Sequence, residues 1–240
     1  MRRITRQALS AKAQNFLLKR AEAVAKAADS KAEALRLWSL QDNKAFQEIR
    51  AILRQMASGL ERCMYCEDSH GIAIEHFWPK ATYPHRAFDW LNYLIICTLC
   101  NSNKRDQFPL DDAGKPLLLD PTEEDPLDHM ALSPATGRLL ALSLKGTTTI
   151  EVIDLDRETL VKGRAYAWTA LEGLITEYAH LRRTGDSERA TRVEGTARNH
   201  PFAGVLAALL RIAAGADADL LIEARCLRAI QEFPEILDWC

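Results

Sequence analysis

The chain has no apolar run long enough to cross a membrane, which takes about twenty residues. It also has no apolar stretch behind its charged start, Met1-Arg2-Arg3-Ile4, so nothing there reads as a secretory signal. A cytoplasmic protein is the expectation. Basic charge is not in excess either: 31 Lys/Arg stand against 33 Asp/Glu, a net of −2. Charge alone therefore does not make the whole chain a nucleic-acid binder. No internal repeat and no low-complexity tract is found, which excludes a solenoid. No Gly-x-x-x-x-Gly-Lys-Ser/Thr is present, so this chain cannot itself supply P-loop ATP hydrolysis. Cysteine is sparse, six in 240 residues, and in a reducing compartment cysteines favour metal binding over disulfides.

What is present is unevenly placed. The composition, 48% hydrophobic and 27% charged, is that of an ordinary globular protein. The length fits one domain with an extension, or two small ones. Residues 1–60 hold twelve Lys/Arg against five Asp/Glu, whereas residues 111–240 hold fourteen against twenty-two. A basic N-terminal part can attract phosphate, and an acidic C-terminal part cannot. The same lysines would equally suit a solvated helix surface.

The pattern divides the chain into four regions: a basic helical part over 1–59, a motif core over 60–110, an irregular connection with a β-hairpin over 111–156, and a helical part over 157–240. The fold class expected is mainly α with a small ββα core and a hairpin, that is, α+β. Residues 7–57 lack proline, and Phe46, Ile49, Leu53 and Met56 recur at helical spacing. Asp29-Ser30 reads as a break with Ser30 as the next N-cap, and Gly59 as a helix end. Ile72–Phe77 reads as a strand ended by Pro79, Asp89–Asn92 as a turn, Leu94–Cys97 as a buried strand, and Cys100-Asn101 as the start of a helix. Five prolines make 109–135 irregular. Gly137–Ser143 and Thr147–Ile153 read as a hairpin turning at Lys145-Gly146. Arg157 to Arg183, Pro201 to Ala213 and Ala218 to Phe233 read as helices.

The most informative stretch is Cys63-Met64-Tyr65-Cys66 followed by Cys97-Thr98-Leu99-Cys100. Two Cys-x-x-Cys pairs can close one tetrahedral zinc site if the insert between them is a compact hairpin. Cys226 and Cys240 are left over as structural or exposed thiols, and His70 is a lesser candidate ligand. The insert carries Glu75-His76 and Asn92, and Asn101 with Lys104 follows. On a strand, Glu75 and His76 point to opposite sides. A neutral imidazole can take a proton from water. A carboxylate and an amide oxygen suit Mg²⁺ or Mn²⁺. Lys80, Lys104 and Arg105 add positive charge for phosphate. Trp78 and Trp90 could stack on bases, although packing is the plainer role. His85 and His129 read as loop histidines, and Asp120 as a turn residue.

These residues resemble HNH endonucleases with a ββα-metal fold clamped by a four-cysteine zinc site. The resemblance implies His76 as general base and Asn92 as the residue that orients it. It also implies Glu75 and Asn101 as ligands of a catalytic Mg²⁺ or Mn²⁺. Ile74-Glu75-His76-Phe77-Trp78-Pro79-Lys80, Trp90-x-Asn92-Tyr93-Leu94 and Cys97-x-x-Cys100-Asn101-x-x-Lys104 are similar to the PtuB nuclease subunits of Septu-type anti-phage systems. Leu119-Asp120-Pro121 with Asp125-Pro126, and Thr149-Ile150 leading to Leu155, extend that likeness. It implies cleavage of foreign nucleic acid, DNA before RNA, beside an ABC/SMC-related, PtuA-like ATPase. Similar nucleases accompany some retrons, with a reverse transcriptase and its DNA, so an RNA- or tRNA-cleaving effector is an alternative. A standalone restriction-type DNase and a non-catalytic zinc scaffold are the others.

Overall fold

The computed structural model describes residues 1–240 and is mainly helical, with two small antiparallel sheets. Residues 1–10 carry no regular secondary structure. Helices α1 (Ala11–Lys26), α2 (Ser30–Trp38) and α3 (Lys44–Met56) follow, and a kinked turn, α4 (Ser58–Glu61), leads into the first cysteine pair. Each of the three helices starts on a side-chain cap: Ser10, Asp29 and Asn43 accept from the backbone N–H three residues on. The break expected at Asp29-Ser30 is there, but Asp29 is the cap and Ser30 the first helical residue. Phe46, Ile49, Leu53 and Met56 form the buried face of α3, each contributing about 1.5–3 kcal/mol of burial. Gly59 does not simply end a helix: Gly59, Leu60 and Glu61 all have positive φ, and a Cβ at 59 would press on the Asn199 and His200 carbonyl oxygens at 3.0 and 3.1 Å.

The motif core folds as strand, turn, strand, helix. Strand β1 (Ala73–His76) pairs antiparallel with β2 (Tyr93–Ile96), placing Glu75 opposite Leu94 and His76 opposite Tyr93. Helix α5 (Thr98–Lys104) begins two residues before the expected Cys100. Its N-cap is Cys97, so the second cysteine pair brackets the first helical turn.

From 109 to 129 the backbone is irregular, as its prolines require. Beyond that the structure differs from expectation. The hairpin is β3 (Met130–Leu132) with β4 (Leu139–Ala141), and Leu144–Ile153 is a helix, α6. Ser143 caps α6, and Asp154 ends it in the left-handed conformation. Gly146 is not a hairpin turn. It lies in the first turn of α6, where any Cβ would collide with the His129 carbonyl.

The C-terminal region is a helical layer: α7 (Glu158–Thr184), α8 (Ser187–Arg198), α9 (Ala203–Ala213), α10 (Ala218–Leu221) and α11 (Ala224–Glu232). Residue 185, glycine at φ 80°, turns α7 into α8, a helix the sequence pattern did not single out. The stretch read as one helix over 218–233 is two, broken at Ile222 and Glu223. One continuous core joins all four regions, from Phe46 through Tyr65 and Ile95 to Leu171 and Leu209. No helix is long and apolar enough to cross a membrane.

Candidate metal centre and hydrolytic site

The first cysteine pair sits in a tight turn between α4 and β1. The Cys63 N–H donates to Ser69, and the Glu67 N–H donates back to Cys63. This turn lies against β2, because the Met64 N–H donates to the Ile95 carbonyl. The β1–β2 hairpin then returns the chain, and Cys97 and Cys100 arrive beside Cys63 and Cys66. All four sulfurs lie within 4.8 Å of one another and all four residues are buried. Cys66 Sγ and Cys97 Sγ are 3.8 Å apart. Zn–S arms of about 2.3 Å at tetrahedral angles set neighbouring sulfurs about 3.8 Å apart, whereas a disulfide needs about 2.05 Å. The donor set therefore fits one structural ion such as zinc.

The four cysteines also act on one another's protons. Burial holds the proton on Cys63, and its neighbours' thiols hold the proton on Cys100. Hydrogen bonds from those two thiols draw Cys66 down to about 6 and Cys97 lower still. Four thiolates this close repel one another unless a cation sits among them. A guanidinium of the C-terminal layer also reaches the cluster: Arg157, the N-cap of α7, lies 3.9 Å from Cys100 Sγ. His70, by contrast, is exposed and pairs with Glu61, so it stands outside the sulfur cluster.

The turn beside the cysteines also ties distant parts of the chain together. Glu67 has φ 57° and is buried. Its carboxylate accepts from the backbone N–H of Arg2 at 3.0 Å and of Gly204 at 2.8 Å, and lies 3.1 Å from the Met1 ammonium.

The candidate hydrolytic residues occupy the other end of the hairpin. His76 Nε2 lies 3.0 Å from the Ala87 carbonyl. A carbonyl only accepts, so Nε2 carries the proton and Nδ1 keeps the lone pair. The Tyr93 hydroxyl donates to the same carbonyl at 2.8 Å. Asn92 holds the loop that presents Ala87. Its Oδ1 accepts from the Trp78 N–H at 2.6 Å, and its Nδ2 donates to the Trp78 and Arg86 carbonyls at 3.0 Å. Asn92 thereby ties the end of β1 to the loop that fixes the His76 tautomer. Burial lowers the His76 pKa to about 3, with the Lys80 charge adding to the shift, so the ring is neutral.

Glu75, on the opposite side of the strand, is also buried, and burial raises its pKa against the pull of Lys104. Lys104 was expected to meet phosphate. Instead it is 0% exposed, and its ammonium donates to Glu75 Oε1 at 2.6 Å and to the His76 carbonyl at 3.1 Å. A lysine on the first turn after Cys100 faces inward here because α5 packs on β1. Glu75 Oε2 and the half-buried Asn101 side chain make no hydrogen bond within the protein. The Lys104 charge competes with any cation for Glu75. Of the other basic candidates, Arg105 is exposed and Lys80 is half-buried, its ammonium 5.7 Å from the centre of the Trp38 ring.

The remaining candidates have structural partners. Trp78 packs edge-on against Tyr83 and near Phe108, and Trp90 donates to Gln7 beneath the Arg6 guanidinium. Asp120 accepts twice from Thr122, as a turn residue does. His129 lies between Ser143 and Glu124. His85 and Cys240 are exposed; Cys226 is buried, which raises its thiol to about 12. One site residue had no signal in the sequence. Trp38, at the end of α2, lies with its ring centre 4.1 Å from that of His76. Nothing in a 9-residue helix, its Trp38 placed 38 positions before His76, marks that contact.

No family model matches the chain. Two curated relatives do. A Septu protein PtuB of Bacillus thuringiensis is 32% identical over 114 residues, covering 45% of this chain and 41% of the relative. A Septu protein PtuB of Bacillus mycoides (strain KBAB4) is 31% identical over 193 residues, covering 64% of each. The chain thus spans between two fifths and two thirds of the length of these relatives. The likeness read from the motif residues agrees with the names of both relatives: over these spans the chain is similar to Septu PtuB proteins, and it carries a buried four-cysteine site fit for one structural metal ion.

Proposed function

We propose that this protein is an HNH-type endonuclease, the effector of an anti-phage complex, hydrolysing phosphodiester bonds of foreign nucleic acid, DNA before RNA. The observation that carries the reading is the arrangement around His76, in which Nε2 donates to the Ala87 carbonyl and Asn92 holds the neighbouring loop through the Trp78 and Arg86 carbonyls. It fixes one imidazole tautomer, leaves Nδ1 as the free base, and lies within a β1–β2–α5 unit closed by four cysteines. A scaffold needs only the cysteines.

In this reading His76 Nδ1 takes the proton from the attacking water. Asn92 and the Ala87 carbonyl hold the ring in place. Glu75 and Asn101 are the residues that would hold Mg²⁺ or Mn²⁺, and such an ion, when bound, stabilises charge on the phosphate and leaving oxygens. Lys80 and Arg105 are the basic groups available for the backbone. The Septu likeness supports a partner ATPase, ABC/SMC-related and PtuA-like, that brings substrate and control. The near-neutral charge of this chain fits that division of labour, because binding strength follows the phosphates neutralised.

A second reading, a non-catalytic zinc module, is favoured by one observation: His76 and Glu75 are both nearly inaccessible. Cleavage assays of the zinc-loaded protein, alone and with its ATPase, separate the two. Mg²⁺- or Mn²⁺-dependent cutting of plasmid DNA that disappears in His76→Ala is the expected result. Absence of cutting in every combination, or full activity in His76→Ala, overturns the nuclease assignment.

A further inference from the structure

The burial of the base has an identifiable cause outside the ββα unit. His76 is 3% exposed, too little for its Nδ1 to meet a water and a phosphate. The group lying over it is Trp38, the last residue of α2, with ring centres 4.1 Å apart at 64°. Trp38 is itself only half-buried, and Lys80 lies over its ring. Helix α2 therefore forms a layer between the candidate base and solvent.

That layer is weakly anchored. It has 9 residues, of which Ala34 alone is fully buried, while Leu35 is 44% exposed. Helices shorter than about 12 residues are marginal without tertiary support. The support is gathered at its C-terminal end, where the Trp38 ring sits against Phe46, Phe88 and Tyr93 and one arginine clasps the backbone. Arg20, on α1, donates to the carbonyls of Leu37 and Leu40 at the helix end. Its guanidinium is set among the rings of Phe16, Phe46 and Phe88, at 4.5, 5.5 and 5.5 Å. A short element anchored at one end opens at lower cost than one buried along its length.

We propose that α2 is an autoinhibitory cover, with Trp38 shutting the His76 imidazole and the Arg20 clasp holding the cover closed. The proposal rests on the nuclease reading only for its consequence in cleavage; the covering of His76 stands apart from it. Lifting α2 uncovers His76 and frees Lys80 from Trp38 at the same time. A base and a cation then appear together, where a phosphate would need both.

The test uses the full-length, zinc-loaded protein. Carbethoxylation of histidines by diethyl pyrocarbonate is followed by mass spectrometry, with the exposed His85 and His180 as internal references. An open state populated at roughly 0.1–10% slows labelling of His76 at least about ten-fold relative to the references. Trp38→Ala, and separately Arg20→Gln, should bring His76 close to the reference rate, with zinc content and a cooperative melt retained. Cleavage by these variants should rise by about the same factor and lose its dependence on the partner. Wild-type labelling of His76 as fast as His85 overturns the cover without need of any variant. A fall in cleavage in Trp38→Ala, with His76 already labelled in the wild type, assigns Trp38 to substrate binding and also overturns it. Labelling that is slow in wild type and fast in both variants, with no cleavage in any, upholds the cover and removes the nuclease reading.

Discussion

The two ends of the β1–β2–α5 unit differ in what each still requires. At the cysteine end, four sulfur donors converge with no protein cation among them, and Arg157 only touches the rim. At the histidine end, the donors are already engaged: Glu75 holds Lys104, His76 holds the Ala87 carbonyl, and Trp38 lies on the ring. Four thiolates held this close need a cation among them. A site that supplies its own lysine is neutral and can stay closed. The same small fold thus carries one centre fit to hold a metal ion and one whose groups are already paired within the protein.

The sharpest way to break this contrast is to remove a sulfur. Cys63→Ser or Cys100→Ser should abolish soluble folded protein, because structural zinc contributes on the order of 10 kcal/mol to small metal-clamped folds. Elemental analysis of wild type should find one zinc per chain; folded, metal-free protein would remove the contrast altogether. At the other end His76→Ala should cut nucleic-acid cleavage by about two to four orders of magnitude, while zinc content stays at the wild-type level.

The lysine offers a finer test. Lys104→Met leaves the buried Glu75 carboxylate unpaired, at a cost of about 3–5 kcal/mol. Adding Glu75→Gln should recover most of it, read as the midpoint of urea unfolding. An additive double variant would mean that the pair does not close the site. The smallest effect should fall outside both centres. Gly146→Ala presses a methyl onto the His129 carbonyl, and overpacking of that kind costs about 1–3 kcal/mol. Thermal melting should shift, with cleavage per folded molecule unchanged.

Much of the unit was legible in the sequence, for local reasons. Knuckle spacing fixes which cysteines meet, and strand alternation separates Glu75 from His76. The helix face of Phe46, Ile49, Leu53 and Met56 was equally plain. The misreading over 137–153 also has a physical cause. Thr147, Thr148, Thr149, Ile150, Val152 and Ile153 are strand-formers by propensity. Tertiary context decides otherwise: the buried Thr149 hydroxyl accepts from the Leu119 N–H at 2.9 Å, and Ser143 caps the helix that places it there. Lys104 was read by its charge, but its direction depends on how α5 packs on β1. Trp38 depends on a contact between segments 38 residues apart, which periodicity does not record.

The buried carboxylate of Glu67 has a further consequence. It directly follows Cys66, yet its partners are at residues 1, 2 and 204. The cysteine turn is thus a junction where the beginning of the chain and a late helix are fastened to the same few atoms. Loss of the ion would not stay local. It would register as slackening at Arg2 and Gly204, visible as faster amide exchange there on chelation. A ligand a few ångströms across in this way sets the tension between segments two hundred residues apart.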